Sequence, residues 1–333
     1  MPFIFSKVNV SLSKEQELLL KSQLGKAIAL VPGKEVLMNE FTNMGKIKLT
    51  TFTDPMMGLS YECEPIFRKL ETHFADRIEF HYVMSGLVRN VYDFVHPDDL
   101  SKGKDIAIRN YNARLAKIYE HEESIMGMPI NMTDFHLFSP THTSSLPLNL
   151  AYKAAQLTNA EKANQFLYNL RYATIVETRP TTQREEILAV VQQTGMDVEV
   201  FCQHFDGETA RTALQQDLDF GHKLGIHSLP AYLLEYGEKK MLIQSLIGYD
   251  AFVSMIAELT CGMVKPQPVI LSPKNLEILL DKHPLISPIE LREAFDLTSL
   301  EEVINIIHPL VSTNKMVIRE VPHGWFIVQA VQD

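Results

Sequence analysis

The sequence predicts an α/β chain built on a β-α-β crossover, interrupted by a large helical insertion and followed by a small module of helices and a hairpin. Three observations carry that expectation. Ile47, Leu49 and Phe52 make a strand of residues 46–53, apolar residues recur at helical spacing from Pro65 to Phe74, and Arg77 to Leu87 supplies a second strand, so the helix between them makes the strands parallel. From about 98 to 209 the pattern is helical almost throughout. Beyond the stiff stretch Lys265-Pro266-Gln267-Pro268, three helical patterns precede two short strands.

Taken in order, residues 1–43 form a β-α-β segment of their own. Phe3 to Val10 reads as a strand, and Ser13 caps a helix whose face is Leu18, Leu19, Leu20, Leu24, Ala27 and Ile28. Pro32-Gly33-Lys34 ends that helix, and Val36 to Phe41 is the second strand. The main body spans 44–264. Its insertion carries helices at Ala107–Glu123, Leu148–Thr158, Ala160–Ile175, Thr182–Gly195 and Asp197–Phe205, with Thr182-Gln183-Arg184-Glu185 reading as a capping box. Met126 to Met132 with Phe135, Leu137 and Phe138 is an apolar, methionine-rich loop, which suits either gap-filling in a core or an adaptable binding surface. A helix at Ala210–Leu224 leads back through Gly225 to Leu234; Met241 to Tyr249 is the last strand and its turn, and Asp250–Thr260 the closing helix.

The module 265–333 has helices at Asn275–His283, Ser287–Phe295 and Leu300–Val311, then a hairpin turning at Pro322-His323-Gly324. That order resembles a winged-helix module. From Leu271 onward it holds five Lys or Arg against nine Asp or Glu, a net of −4, which opposes DNA binding and favours a protein-docking or dimerisation role. The whole chain of 333 residues has 31 Lys or Arg against 41 Asp or Glu, a net charge of −10, so neither nucleic acid nor an anionic membrane is the expected partner. Three cysteines lie far apart without metal-ligand spacing, and His136 and His142 lack acidic or thiol partners at useful spacing, so no metal is expected. No basic opening precedes an apolar run, and no run reaches about 18 residues, so the expected location is the cytoplasm.

The functional question is decided in Thr51 to Phe67, where a strand passes through a tight loop into a helix. Asp54-Pro55-Met56, a four-residue slot, then Tyr61, Glu64 and Pro65 resembles the active-site segment of the DsbA family, Asp-Pro-x-Cys-x-x-Cys-Trp, and Gly225 to Leu234 is similar to that family's Gly-Val-x-Gly-Val-Pro segment. The resemblance implies a thioredoxin-like fold with a cis Leu229-Pro230 peptide facing the loop. Here the slot reads Met57-Gly58-Leu59-Ser60. A thioether and a hydroxyl cannot form a disulfide, so dithiol exchange is ruled out at this position. Cys63, one helical turn beyond Ser60, is either a small buried hydrophobe or a monothiol acting alone.

Over residues 46–333 the order of parts, including the C-terminal His323-Gly324-Trp325-Phe326, resembles cytosolic DsbA-like adaptors of the ClpXP protease. This resemblance implies a non-redox protein that binds a polypeptide partner, with Asp54, Pro55, Met57, Tyr61, Leu229 and Pro230 forming the groove. No cofactor follows from it. The rival is a glutathione-dependent isomerase or transferase of the kappa or hydroxychromene-carboxylate isomerase type, with Ser60 activating the glutathione thiol at a helix N-terminus. Met1-Pro2-Phe3-Ile4 and Pro32-Gly33-Lys34 resemble the tautomerase superfamily, which would make Pro2 a general base. The structural alternative for 1–43 is added sheet strands or a contact between copies in a homo-oligomer.

Overall fold

The computed structural model describes residues 45–330, and the tautomerase-like segment and Pro2 lie outside them. Strand β1 (Ile47–Thr53) is buried on both faces apart from Lys48, which fits a central strand. After the Asp54–Met57 loop come the short helix α1 (Gly58–Glu62) and helix α2 (Glu64–Phe74), with Pro65 near the start of α2, where its missing N–H costs nothing. Strand β2 (Ile78–Met84) then pairs with β1 in parallel, Ile47 opposite Ile78 through Thr53 opposite Met84.

The insertion begins with α3 (Pro97–Ser101) and α4 (Lys104–Glu122) and continues with α5 (Leu146–Thr158), α6 (Ala163–Ile175), α7 (Arg184–Gln193) and α8 (Val198–Asp206). Helix α9 (Glu208–Lys223) returns the chain to the sheet. The capping box expected at Thr182 does not form: Gln183 takes the N-cap position without a side-chain bond, and the Thr182 hydroxyl donates instead to the Leu137 carbonyl. A buried loop carbonyl 45 residues away competes successfully for that hydroxyl. The methionine-rich loop goes to the core, since Met128, Ile130, Phe135, Leu137 and Phe138 are all buried in one cluster with α4 to α8.

Strands β3 (Ala231–Tyr236) and β4 (Lys239–Ile243) complete a sheet of order β2-β1-β3-β4, with β3 antiparallel to β1 and to β4. The β3–β4 turn uses Gly237 at φ 59°, where a side chain would strain the backbone. The last strand ends at Ile243, and the expected turn follows it as far as Tyr249, which opens helix α10 (Tyr249–Leu259). Helices α2 and α10 cover one sheet face around Phe67, Leu70, Tyr232, Phe252 and Ile256, while the insertion forms a separate and larger cluster.

The C-terminal segment runs α11 (Pro273–Lys282), β5 (Leu285–Ile286), α12 (Pro288–Ala294), α13 (Leu300–Ser312), β6 (Met316–Val321) and β7 (Gly324–Gln329), with sheet order β5-β7-β6. The hairpin closes where Val321 pairs with Gly324, leaving Pro322-His323 as its loop with His323 at φ 66°. A capping box absent from the sequence expectations starts α12: Ser287 accepts from the Glu290 N–H while the Glu290 carboxylate accepts from the Ser287 N–H. This segment has its own core of Leu276, Leu280, Ile286, Leu291, Val303 and Ile307. It is also fastened to the body: the Gln267 N–H donates to the His73 carbonyl at 2.7 Å, and Phe326 packs edge-on against Tyr172 at 4.8 Å. Among the described residues no helix is long and apolar enough to cross a membrane.

Candidate functional site around the Asp54 to Cys63 loop

The loop is set by Asp54. Fully buried at the end of β1, its Oδ1 accepts from the Met56 N–H at 3.0 Å and its Oδ2 accepts at 2.7 Å from the Leu87 N–H, Ser145 Oγ and Asn149 Nδ2. Burial pushes the Asp54 carboxyl up, and these four bonds pull it back toward the ionised form. The carboxylate thus ties the loop to the end of β2 and to α5. Pro55 follows it in the turn that delivers Met56 and Met57 to the start of α1.

Within the slot both side-chain heteroatoms, Met57 Sδ and Ser60 Oγ, are engaged. Arg171 donates to Thr53 Oγ1 at 2.9 Å, Thr53 donates to Ser60 Oγ at 2.7 Å, and Ser60 donates to Met57 Sδ at 3.4 Å. The Ser60 proton is therefore held by a thioether, and a lone pair by a threonine. Met57 is 5% exposed and Ser60 1%, so neither faces solvent. Tyr61 is buried too, its hydroxyl donating to the Pro129 carbonyl at 2.9 Å, and burial raises its pKa well above the ordinary value.

Helix α4 lies over the slot, a feature the sequence did not signal. A Cβ built on Gly58 would collide with Glu122 Oε2 and sit 2.6 Å from the Tyr119 ring, and the Tyr119 hydroxyl donates to the Met56 carbonyl. Glu122 can swing away; the buried Tyr119 ring cannot without moving α4. Gly58→Ala is therefore expected to destabilise the chain by about 1–3 kcal/mol in urea unfolding. Burial raises the Glu122 carboxyl to about 7. It raises Glu62 to about 8, against the Met126 N–H, which donates to Glu62 Oε2 at 2.8 Å, and those of Met128 and Gly127.

Cys63 is buried in the α2–α10 core, its Sγ 3.3 Å from the Tyr232 hydroxyl. Burial pushes the thiol up to about 12, which leaves almost no thiolate at neutral pH. Iodoacetamide is accordingly expected to alkylate exposed Cys261 in the native protein and to reach Cys63 only after unfolding, as peptide mass mapping would show.

The Leu229-Pro230 peptide is cis. Phe52 pairs with Ala231, so one residue further along each strand Thr53 and Pro230 stand side by side next to the slot. Pro230 is buried, Leu229 half-buried and Ser228 exposed. Of the residues expected to line one groove, Asp54, Pro55, Met57 and Tyr61 are buried in the loop and the start of α1, with Pro230 buried beside them, while Leu229 lines a separate cleft with Leu87 and α9.

Behind the slot lies a buried charge network that sequence reasoning missed. Arg171, 0% exposed, donates to Glu64 Oε1 at 2.6 Å; Arg68 donates to Glu64 Oε2 at 2.7 Å, to Glu71 Oε2 at 2.7 Å and to Glu290 Oε1 at 3.1 Å. Tyr168 donates to Glu290 Oε2 at 2.6 Å, and His283 Nε2 lies 2.7 Å from Glu71. Among the described residues no group of three or more His, Cys, Asp or Glu could hold a metal ion.

A parallel β-α-β unit, a cis-proline loop beside its first turn and an antiparallel β3–β4 hairpin define a thioredoxin-like protein. A family profile for thioredoxin matches residues 50–253, and the chain belongs to that family. The chain is similar to the ClpXP adapter protein SpxH of Halalkalibacterium halodurans, 24% identical over 283 residues, which cover 84% of this chain and 88% of that one. The SpxH of Bacillus subtilis strain 168 is 22% identical over the same shares of both chains. Among solved structures, a putative protein disulfide isomerase from Nitrosomonas europaea superposes with a TM-score of 0.53 at 15% identity, over 64% of this chain and 97% of that one. A probable DsbA oxidoreductase from Streptomyces coelicolor gives 0.50 at 15% identity, over 67% and 94%. These two likenesses concern the fold alone.

Proposed function

We propose that the chain is a non-redox polypeptide-binding adaptor that presents a protein client to a ClpXP-type protease in the cytoplasm. The observation that carries this reading is the match to curated ClpXP adapter proteins over 84% of the chain, a span too long to lie within the thioredoxin body alone. The slot supports it from the chemical side. Neither Met57 nor Ser60 can exchange disulfides, Ser60 has its proton and a lone pair committed inside a covered site, and the Cys63 thiol is held protonated. The same engagement weighs against a glutathione-activating hydroxyl, so calorimetric titration with glutathione is expected to stay silent up to millimolar concentrations. The acidic net charge weighs against a nucleic-acid partner.

Reconstituted proteolysis tests the adaptor reading. A protein captured by this chain from cytosol should be digested faster by purified ClpXP when the chain is added. Unchanged digestion of every captured protein would defeat it, as would catalytic oxidation or isomerisation of client disulfides by the purified chain.

A further inference from the structure

We infer that the cleft beside the Leu229-Pro230 loop takes an extended polypeptide segment in which a carboxylate neighbours an aliphatic side chain. The inference rests on the polypeptide-binding reading and adds to it a place and a chemistry. The cleft, of about 270 Å³, lies between the end of β2, helix α9 and residues 226–229. Leu87, 40% exposed, faces it together with half-buried Leu218, Ile226 and Leu229. Single exposed aliphatic residues are ordinary on protein surfaces; four converging on one depression next to a sheet end are a place to bury a partner's side chain. Beside them, among the described residues, the peptide groups of Ser228 and Leu229 make no hydrogen bond, so an extended chain has backbone groups to pair with.

Charge selects the occupant. Arg89 on the rim is exposed and has no ion-pair partner among the described residues, and His222 has none either. His227 completes the rim. The one acidic lining residue, Asp217, is already engaged: Lys153 stands 3.0 Å away, and the carboxylate accepts from the Met84 N–H at 2.9 Å. The carbonyls at the end of α9 carry partial negative charge, which Lys223 in its last turn offsets. In a chain of net charge −10 this rim is locally cationic, and the free guanidinium of Arg89 matches a carboxylate's two oxygens. A basic segment would meet Arg89 with no available counter-charge.

Fluorescence anisotropy on the full chain tests this with a short capped peptide of alternating Asp and Leu, against a counterpart with Lys in place of Asp. The Asp-Leu peptide is expected to bind roughly tenfold or more tightly, most strongly at low salt, and Arg89→Glu should erase that preference. Leu87→Asp should weaken the Asp-Leu peptide as well. Equal binding of the two peptides, or a preference that survives Arg89→Glu, overturns the inference. In reconstituted proteolysis, loss of acceleration with Arg89→Glu supports it. Full acceleration by Arg89→Glu overturns the cleft while leaving the adaptor reading standing. If the wild-type chain accelerates nothing, the adaptor reading falls, and the peptide measurement still decides the cleft.

Discussion

Arg68→Met is expected to cost about 3–5 kcal/mol, a large share of the 5–15 kcal/mol that holds a typical domain folded. The reason is arithmetic of charge in a dry place. Arg68 is 7% exposed and is the shared partner of Glu64, Glu71 and Glu290, of which only Glu64 has a second guanidinium, that of Arg171. Burial alone would lower the Arg68 pKa, and the three carboxylates hold it above its ordinary value. Methionine fills much of the same volume and supplies no charge, so Glu290, 0% exposed, is left with the Tyr168 hydroxyl and the Ser287 N–H only. Urea unfolding followed by tryptophan fluorescence reads the loss directly, because Trp325, the one tryptophan, packs on the C-terminal core that Glu290 fastens to α2. Adding Glu290→Gln to Arg68→Met should recover part of the stability, since the second change removes a charge the first one orphaned. Strictly additive losses would show that the two side chains do not act as a pair.

That network also marks the boundary of what the sequence disclosed. Strand β1, helix α2 and the cis Leu229-Pro230 peptide were legible because each is written in neighbouring residues: alternating apolar positions, a proline near a helix start, a motif of known geometry. Helices of the insertion were placed to within a few residues for the same reason. Arg171 gave no signal, because its partners Thr53 and Glu64 lie 118 and 107 residues away. The cover over the slot was equally hidden: nothing in Gly58 announces Tyr119 and Glu122, which a separate helix brings in. At Thr182 a correct local pattern was overridden by the Leu137 carbonyl. At the methionine-rich loop, where the residues suit gap-filling in a core or a binding surface, burial decides for the core.

Glu62→Gln is expected to stabilise the chain, and to do so more as pH rises. Glu62 is 0% exposed; its Oε2 accepts from the Met126 N–H and its Oε1 is buried without a partner. Burial, only partly opposed by backbone N–H groups, places its folded pKa at about 8 against 4.5 for the ordinary group. Below pH 4.5 both folded and unfolded chains carry the proton, and the group costs nothing. Between 4.5 and about 8 the unfolded chain ionises while the folded chain resists, so each pH unit draws about 1.4 kcal/mol from folding stability until the folded state ionises as well. The wild type should therefore lose stability as the solution is taken from acid toward neutral and alkaline pH, by a few kcal/mol from this one carboxyl. A glutamine in place of Glu62 cannot ionise, so the slope should flatten across that window while stability near pH 4.5 changes little. Glu122, raised to about 7 on the neighbouring helix, leaves a smaller residual slope that Glu122→Gln would remove in turn. Denaturant unfolding of the wild type, the single variant and the double variant across this pH range measures all of it. A slope unchanged by Glu62→Gln would mean that the carboxyl is solvated in the folded protein, and that the Met126–Met128 segment does not close over it.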